Sequence, residues 1–473
     1  MKKEMKNESN RIITVLVALS SLFIFLIVYL SYFEVFAADT IENNNYNKRI
    51  WMEEEYILRG NIVDRNDTLL ASSTQSEKQQ TRQYQYGPLY SHIIGYSNRE
   101  LGKEALEKTY NKELLNISES TSINELRKIM AQNDLQQRGN DIKLTIDHEI
   151  QQYAMALLEK QKGSIIAMNP INGEVYAMVS YPSYDSNNLI ENWDDIVEDE
   201  DSPLINRATQ GLYIPGSIFK IITAASALEN QNIKTNYECK GQITIDGYPL
   251  KDYNSNAHGS VDLHQSLVKS CNVAFGQIAL ELGQNNLKNT AENFLLNKNI
   301  PLDIEIKKSI FHTGKMNKPD LASTGIGQGK TQVTPLNMAL MASAIANNGK
   351  MVQPILVKEV LSSEGDIIKT KETITLSEAI SPEIASSIKD MMIDVVNSGT
   401  GKNAALSSIQ VAGKTGTAQV TGQEDHAWFV GFAPADNPKV AIAVLLENYG
   451  STGGSSAAPI ARKLISKIIE RIE

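Results

Sequence analysis

Hydrophobic positions cluster first in one uninterrupted run near the start of the chain. Residues 12–33 carry no charged side chain and form a run of 22 residues, close to the roughly 20 that a helix needs to span the hydrocarbon core of a bilayer. The run predicts a single transmembrane helix. Residues 1–11 carry four basic side chains, and such flanks stay on the cytoplasmic side. We therefore predict a cytoplasmic tail at 1–11 and an extracellular location for the rest of the chain.

Two other interpretations of this run are a cleaved signal peptide and a buried core helix. Cleavage would have to fall near Val35-Phe36-Ala37, a poor cleavage site, and signal peptides have shorter apolar regions of about 7–15 residues. A core helix that is apolar on every side needs a large core around it. The length of the run favours a retained membrane anchor.

Further along the chain, strand patterns come first and last, and helical patterns lie between them. Alternating Ile142, Leu144 and Ile146 predict a strand, and Asp147 suits the N-cap of a following helix. Two apolar runs around residues 169–173 predict a hairpin. Two strands and a terminal amphipathic helix are predicted by HAWFVGFAP, KVAIAVLLEN and AAPIARKLISKIIERIE. This order predicts an α+β fold, an antiparallel sheet with flanking helices and a helical subdomain.

Composition and charge narrow the class of protein. The chain has 473 residues and a formal net charge of −10, and an acidic chain lacks the basic face that nucleic-acid binding needs. The two cysteines do not form a CxxC pair, and the six histidines do not form HExxH. These spacings argue against a zinc ribbon, a thioredoxin-like site and a zinc peptidase, so the sequence predicts no metal and no cofactor.

The leading catalytic candidate is a Ser-x-x-Lys pair at the start of an apolar helix. Ser217 and Lys220 follow the turn-forming Pro215-Gly216, so both side chains share one face of the first helical turn. A serine hydroxyl needs a base to become a nucleophile, and burial can lower the pKa of a lysine enough to provide one. A helix start with a solvated lysine is the alternative. Two other such pairs are interpreted as surface helix turns, Ser266…Lys269 and Ser386…Lys389.

Two further motifs could complete a site. Lys414-Thr415-Gly416-Thr417 combines β-branched residues with a glycine, as in an edge strand whose backbone a ligand can approach. A plain β-turn is the alternative for this segment. Ser270-Cys271-Asn272 supplies a second hydroxyl and an amide at the start of another apolar helix. Each motif is weak by itself, since Ser-x-Asn occurs also at Ser122 and Ser186.

The three motifs together carry a resemblance to a known family. They begin at Ser217, Ser270 and Lys414, with separations of 53 and 144 residues. This order resembles the penicillin-binding transpeptidase superfamily, with its S-x-x-K, S-D-N and K-T-G motifs. Further stretches resemble class B penicillin-binding proteins from Arg59 onward, namely RGNIVDRN, GKEALEKTYNKEL, GEVYAMVSYPSYDSN, GIGQGKTQVTPLNMA and HAWFVGFAP.

The resemblance implies a peptidoglycan D,D-transpeptidase that acts on stem peptides ending in D-Ala-D-Ala. It implies that Ser217 attacks the penultimate carbonyl and that Lys220 takes the hydroxyl proton. Ser270 would relay a proton to the departing amine, beside the positive charge of Lys414. The amine of a second strand would resolve the acyl-enzyme into a cross-link, whereas β-lactams would acylate the same serine and stay there.

The other motif residues are implied to bind substrate. Asn272 would hydrogen-bond the peptide backbone of the substrate. Thr415 and Thr417, on either side of Gly416, would hold the terminal carboxylate. The backbone N–H groups of Ser217 and Thr417 would form the oxyanion hole.

The resemblance also implies a domain layout and a partner. We expect a tail at 1–11, an anchor at 12–33, a small pedestal domain at 34–155 and a transpeptidase domain at 156–473. No segment of glycosyltransferase size is seen, so the protein is expected to cross-link glycan strands without polymerising them. The implied partner is a membrane glycan polymerase of the shape, elongation, division or sporulation type.

One position departs from the family motif. Cys271 stands where the motif has aspartate, and its side chain is expected to point away from the pocket. Thiols outside the cytoplasm can oxidise, so a disulfide between Cys239 and Cys271 remains open, because the sequence does not give their Cα separation.

Two functional alternatives accompany the transpeptidase. One is a hydrolytic or sensing protein of the same fold, such as a D,D-carboxypeptidase, a β-lactamase or a β-lactam sensor. The other is a catalytically silent scaffold for a glycan polymerase, although the motif residues from Ser217 to Lys414 are all present.

Overall fold

The computed structural model describes residues 2–36, 57–76, 79–117, 138–230, 233–234 and 236–472. Helix α1 (Lys2–Phe36) contains the predicted anchor at 12–33. Its segment Asn10–Phe36 is long and apolar enough to cross a membrane, and it is exposed along its length. Residues 37–56 and 118–137, both inside the predicted pedestal, lie outside the described residues.

The helices described between α1 and residue 147 are short, and all the longer ones lie further along the chain. Within the described residues the further α-helices are α2 (Ser91–Ile94), α3 (Ala105–Thr109), α4 (Asn111–Leu114), α5 (His148–Leu158), α6 (Trp193–Glu198), α7 (Lys220–Glu229), α8 (Leu263–Val268), α9 (Asn272–Asn293), α10 (Lys318–Gly325), α11 (Pro335–Ala346), α12 (Pro382–Asn397) and α13 (Ala457–Ile472). Short 3₁₀ turns occupy Gly87–Leu89, Gly216–Phe219, Tyr253–Ser255 and Lys402–Ala404.

The strands form two larger sheets and several two-stranded ribbons. In the described part of the chain they are β1 (Ile62–Val63), β2 (Leu69–Ser76), β3 (Gln79–Tyr84), β4 (Ser97–Asn98), β5 (Gly102–Lys103), β6 (Asp141–Leu144), β7 (Gly163–Met168), β8 (Val175–Tyr181), β9 (Tyr237–Cys239), β10 (Gln242–Ile245), β11 (Tyr248–Lys251), β12 (Gly259–Val261), β13 (Lys350–Val352), β14 (Val357–Leu361), β15 (Ile367–Thr370), β16 (Thr375–Glu378), β17 (Ala412–Ala418), β18 (His426–Ala433) and β19 (Val440–Leu446).

The sheet of the N-terminal part has the strand order β15-β14-β6-β1-β2-β3. The β1–β6 pair is parallel, and the other neighbours are antiparallel. The buried carboxylate of Glu107 pairs with Arg59 and Arg82 at 2.6 and 2.7 Å, which ties α3 to the sheet. Two of its strands come from residues 357–370, so the sheet of the predicted pedestal at 34–155 is completed by a later part of the chain.

The larger core is an antiparallel sheet in the order β17-β18-β19-β7-β8. Its strands come from the beginning and the end of the C-terminal part, so the predicted α+β fold with joined ends is confirmed. Alternate side chains face opposite ways: Ile165 packs on the side of α5 and α13, whereas Ile166 packs on the side of α11. The Asp147 carboxylate accepts hydrogen bonds from the Glu149 and Ile150 N–H groups, which confirms the predicted N-cap.

A helical subdomain lies beside the β17 edge of this sheet. Helix α9 packs against both α7 and α10, and α12 packs against α7 and β17. The buried side chains of this region form a separate apolar cluster around Phe275, Leu267 and Val395. The three motifs found in the sequence meet where β17 adjoins these helices, since Lys220 and Lys414 both bond to Ser270.

Candidate active site

The Ser-x-x-Lys motif begins in a 3₁₀ turn that runs directly into α7. Gly216 in this turn has φ of +57°, and a Cβ there would lie 2.6 Å from the Thr417 carbonyl oxygen. Only glycine therefore lets the turn sit against β17. Ser217 is partly exposed on this turn, whereas Lys220 is fully buried at the start of α7.

The buried Lys220 amine is held by the Ser-x-Asn motif. Its Nζ donates to the Ser270 carbonyl oxygen at 2.6 Å, to Asn272 Oδ1 at 2.7 Å and to Ser270 Oγ at 3.2 Å. Burial lowers the pKa of Lys220 to about 8, and its interactions with Cys271 and Asp252 oppose this shift in part. A lysine with this pKa can exchange a proton near neutral pH, as a general base must.

Lys414 supplies a second buried amine to the same hydroxyl. Its Nζ donates to Ser270 Oγ at 3.0 Å and to the Thr415 carbonyl oxygen at 2.9 Å. Burial, and then the neighbouring charge of Lys220, hold the pKa of Lys414 well below its ordinary value. The pair therefore carries one positive charge more readily than two, and the Ser270 hydroxyl lies between the two amines.

Lys251 and Asp252 hold the Ser-x-Asn turn in place through hydrogen bonds from Asn272. Cys271 caps α9, where its Sγ accepts from the Ala274 N–H, and it is buried away from the motif hydroxyl as expected. Asn272 donates its backbone N–H to Asp252 Oδ1 and its side-chain amide to the Lys251 carbonyl oxygen, 2.8 Å away. These contacts leave Asn272 Oδ1 facing the Lys220 amine.

The Lys-Thr-Gly motif lies on β17, an edge strand as predicted. A Cβ on Gly416 would lie 3.0 Å from the Pro215 carbonyl oxygen, so the glycine admits the turn before Ser217. Thr415 Oγ1 and Thr400 Oγ1 are 2.7 Å apart, whereas Thr417 is partly exposed and accepts from the Gly453 N–H at 3.4 Å.

All eight predicted site residues thus belong to one region, but one expected contact is absent. Within the part of the chain that the structure describes, the Lys220 amine bonds to the Ser-x-Asn motif and makes no hydrogen bond with Ser217. Catalytic hydrogen bonds are often long in unliganded enzymes and tighten when substrate binds. The prediction that the Ser266…Lys269 pair forms a surface turn is wrong for the serine: Ser266 is buried, and its hydroxyl donates to the Asp262 carbonyl oxygen at the start of its own helix.

Several residues near the site carried no signal in the sequence. Thr400 and Asp252 belong to no motif, and only the fold brings them to β17 and to the Ser-x-Asn turn. Cys239 and Cys271 are both buried and form no disulfide. Together with Asp252 and His258, these cysteines are side chains that could hold a metal ion.

The geometry is that of a serine acyl-transfer site: a serine on a helical turn, two buried amines and a hydroxyl between them. The chain belongs to the penicillin-binding protein transpeptidase family. The model of the penicillin-binding protein transpeptidase domain matches residues 163–466, and that of the penicillin-binding protein A dimerisation domain matches residues 59–142. The resemblance seen in the motifs is therefore confirmed.

Named relatives and solved structures agree with this family. Peptidoglycan D,D-transpeptidase PbpA of Mycolicibacterium smegmatis is 31% identical, over 96% of this chain and 97% of that protein. Stage V sporulation protein D of Bacillus subtilis is 29% identical, over 81% of this chain and 63% of that protein. The ceftriaxone acyl-enzyme complex of Mycobacterium tuberculosis penicillin-binding protein A has a TM-score of 0.81 at 30% identity, covering 88% of this chain and 99% of that one.

Proposed function

We propose that this protein is a membrane-anchored, serine-type peptidoglycan D,D-transpeptidase that β-lactams inhibit covalently. The observation that carries the proposal is the Ser270 hydroxyl, which lies 3.2 and 3.0 Å from the buried amines of Lys220 and Lys414 beside Ser217. Relatives named peptidoglycan D,D-transpeptidase and a neighbouring penicillin-binding protein seen as an acyl-enzyme support the same reaction class.

In the proposed acylation, Ser217 Oγ forms a bond to the penultimate D-Ala carbonyl carbon of a stem peptide. Lys220 in its neutral form takes the hydroxyl proton, and its pKa of about 8 makes that form accessible. The peptide C–N bond then breaks, and Ser270 passes a proton from the amine pair to the departing D-Ala. Proton transfer of this kind contributes about 10²–10⁴-fold to a rate.

Binding is proposed to use the remaining motif residues. Asn272 orients the stem-peptide backbone, and the β17 edge offers Thr415 and Thr417 to the terminal carboxylate, with Gly416 keeping the strand close to the Ser217 turn. The N–H groups of Ser217 and Thr417 are assigned to the oxyanion, because these two segments lie side by side.

The second half-reaction separates a transpeptidase from its hydrolytic relatives. An amine of a neighbouring strand attacks the acyl-enzyme carbonyl carbon and loses a proton to the amine pair. The ester C–O bond to Ser217 then breaks, the new amide forms, and the amine pair returns a proton to Ser217 Oγ. A β-lactam in the same place leaves an adduct with no departing group, so Ser217 stays acylated. A D,D-carboxypeptidase, a β-lactamase or a sensor would share the first half and differ in the second.

The membrane arrangement is part of the proposal. We assign residues 1–11 to the cytoplasm, 12–33 to the membrane, 34–155 to a pedestal and 156–473 to the extracellular transpeptidase domain. The apolar α1 supports the anchor, and the basic residues before it support the orientation. The proposed partner is a membrane glycan polymerase of the shape, elongation, division or sporulation type, which would contact the anchor and the pedestal.

Intact-protein mass spectrometry after penicillin G treatment tests the chemistry. A single adduct that maps to Ser217 and persists for hours is expected, and its absence from Ser217→Ala is the control. Rapid loss of the adduct would favour a β-lactamase. Full restoration of growth or spore formation by Ser217→Ala would favour the silent scaffold.

A further inference from the structure

An aromatic ring lies beside the Lys220 amine, on the same helix as the amide of the Ser-x-Asn motif. Phe275 follows Asn272 by three positions on α9, and residues three apart share one face of a helix. Asn272 Oδ1 accepts from Lys220 Nζ at 2.7 Å, so this face of α9 is the one turned toward the amine. Phe275 and Lys220 are both fully buried.

The Lys220 amine is placed over the Phe275 ring. Its Nζ lies 5.6 Å from the ring centroid, inside the limit of about 6 Å within which the negative face of an aromatic ring attracts a cation. Helix α7 packs against α9, and Phe275 belongs to the apolar cluster that also contains Leu267 and Val395, so packing holds the ring in this position. A desolvated pair of this kind gains more from the attraction than an exposed one.

The ring distinguishes the charged amine from the neutral one. An ammonium group has three protons to donate, and three acceptors surround Nζ, namely the carbonyl and hydroxyl oxygens of Ser270 and Asn272 Oδ1. The Phe275 side chain has no acceptor atom and attracts the positive charge through its π electrons. This attraction disappears when the amine loses its proton. The ring therefore favours the ammonium form, whereas burial disfavours it.

The titratable groups that act on the same amine come from other segments. Lys414 on β17 donates to the same Ser270 hydroxyl. Burial lowers the pKa of Lys220, and interactions with Cys271 and Asp252 oppose that shift in part. Burial also raises the pKa of the Cys271 thiol. A change confined to the Phe275 ring leaves these groups in place, so its effect on the amine reports the ring itself.

We propose that Phe275 is a positioning residue for the general base, whose ring face holds the Lys220 amine protonated and so sets the pH at which acylation begins. The assignment of Lys220 as base rests on the proposed function, whereas the contact between ring and amine does not. Weakening the negative face of the ring should release the proton at lower pH. Acylation in weakly acidic solution should then become faster, a gain that damaged packing does not produce.

Fluorinated phenylalanines introduced at position 275 of the full-length chain test this role. Fluorine atoms withdraw electron density from the ring face and change the size of the ring little, so packing is kept while the attraction weakens. The inflection in the pH profile of acylation by a fluorescent penicillin should fall stepwise with the number of fluorines, by about 0.4–1.5 pH units in total. With an unchanged plateau, the rate at pH 6 should rise about 2- to 25-fold.

The matched control is the same fluorinated series at Phe294. This phenylalanine is also buried and lies at the opposite end of α9 from the Ser-x-Asn motif, so its variants should keep the wild-type pH profile. A second readout needs no acylation. In the full-length chain with ¹³C-labelled lysine, the NMR resonance of the Lys220 ε-methylene group, assigned by its loss in Lys220→Met, should titrate at lower pH in the Phe275 series.

The two readouts separate the role of the ring from the proposed function. An inflection and a resonance that stay in place, or that move to higher pH, would overturn the proposal. A resonance that moves while the kinetic inflection stays would overturn the positioning role. A chain in which the resonance moves as expected but which penicillin does not acylate would refute the proposed function and support the contact between ring and amine.

Discussion

The buried Lys220 amine makes a quantitative prediction about how acylation depends on pH. If this amine takes the Ser217 proton, only its neutral form is competent, so the rate must rise as pH rises through the pKa. A pKa of about 8 leaves about 1% of the amine neutral at pH 6 and about 90% at pH 9. We therefore expect the acylation rate constant to increase roughly 90-fold between those pH values and then to level off.

Stopped-flow measurement of acylation by a fluorescent penicillin, from pH 5.5 to 9.5, checks this expectation. Lys220→Met should lose most of the rate and the inflection, since it removes the base and keeps the apolar stem. Lys389→Met is the matched control, because Lys389 belongs to the other Ser-x-x-Lys pair, Ser386…Lys389, on α12. The pH profile of acylation for this variant should coincide with that of the wild type.

Two results would refute the assignment of the base. One is a rate that stays constant from pH 6 to pH 9, which would mean that the competent form does not titrate there. The other is a rate that falls as pH rises, which would mean that the ammonium form is required. An inflection that survives Lys220→Met would transfer the role to another group.

Three further changes probe the site and the frame around it. Ser270→Ala removes the hydroxyl that links the two amines, so acylation should fall about 10²-fold or more with little change in thermal stability; a near-wild-type rate would exclude the proton path. Gly327→Ala places a Cβ 1.9 Å from the Gly216 carbonyl oxygen at a φ of +78°. It should therefore lower the free energy of unfolding by more than about 1–3 kcal/mol and slow acylation, and unchanged urea denaturation would contradict this. Glu107→Gln breaks a fully buried ion pair, so urea denaturation should show that the free energy of unfolding falls by about 3–5 kcal/mol, while folded protein still forms the penicillin adduct. A change near zero would mean that the pair does not stabilise the N-terminal sheet.

The sequence alone determined the features that depend on neighbouring residues. The apolar run at 12–33 and the N-cap at Asp147 are set by spacing within a few residues, and the structure has both where they were predicted. The three motifs were recognisable because each is short and contiguous. Their order along the chain identified the family before any contact was known.

Only the tertiary structure decided what lies next to what. The Lys220 amine bonds to Ser270 and Asn272, about fifty positions away, and not to the serine three residues before it. Strands at 357–370 complete the N-terminal sheet, and Asp252 reaches the Ser-x-Asn turn only through the fold. The physical reason is that periodicity and capping act over one or two turns of chain, whereas burial, pKa shifts and ligand geometry arise only when distant segments fold back and exclude water between them.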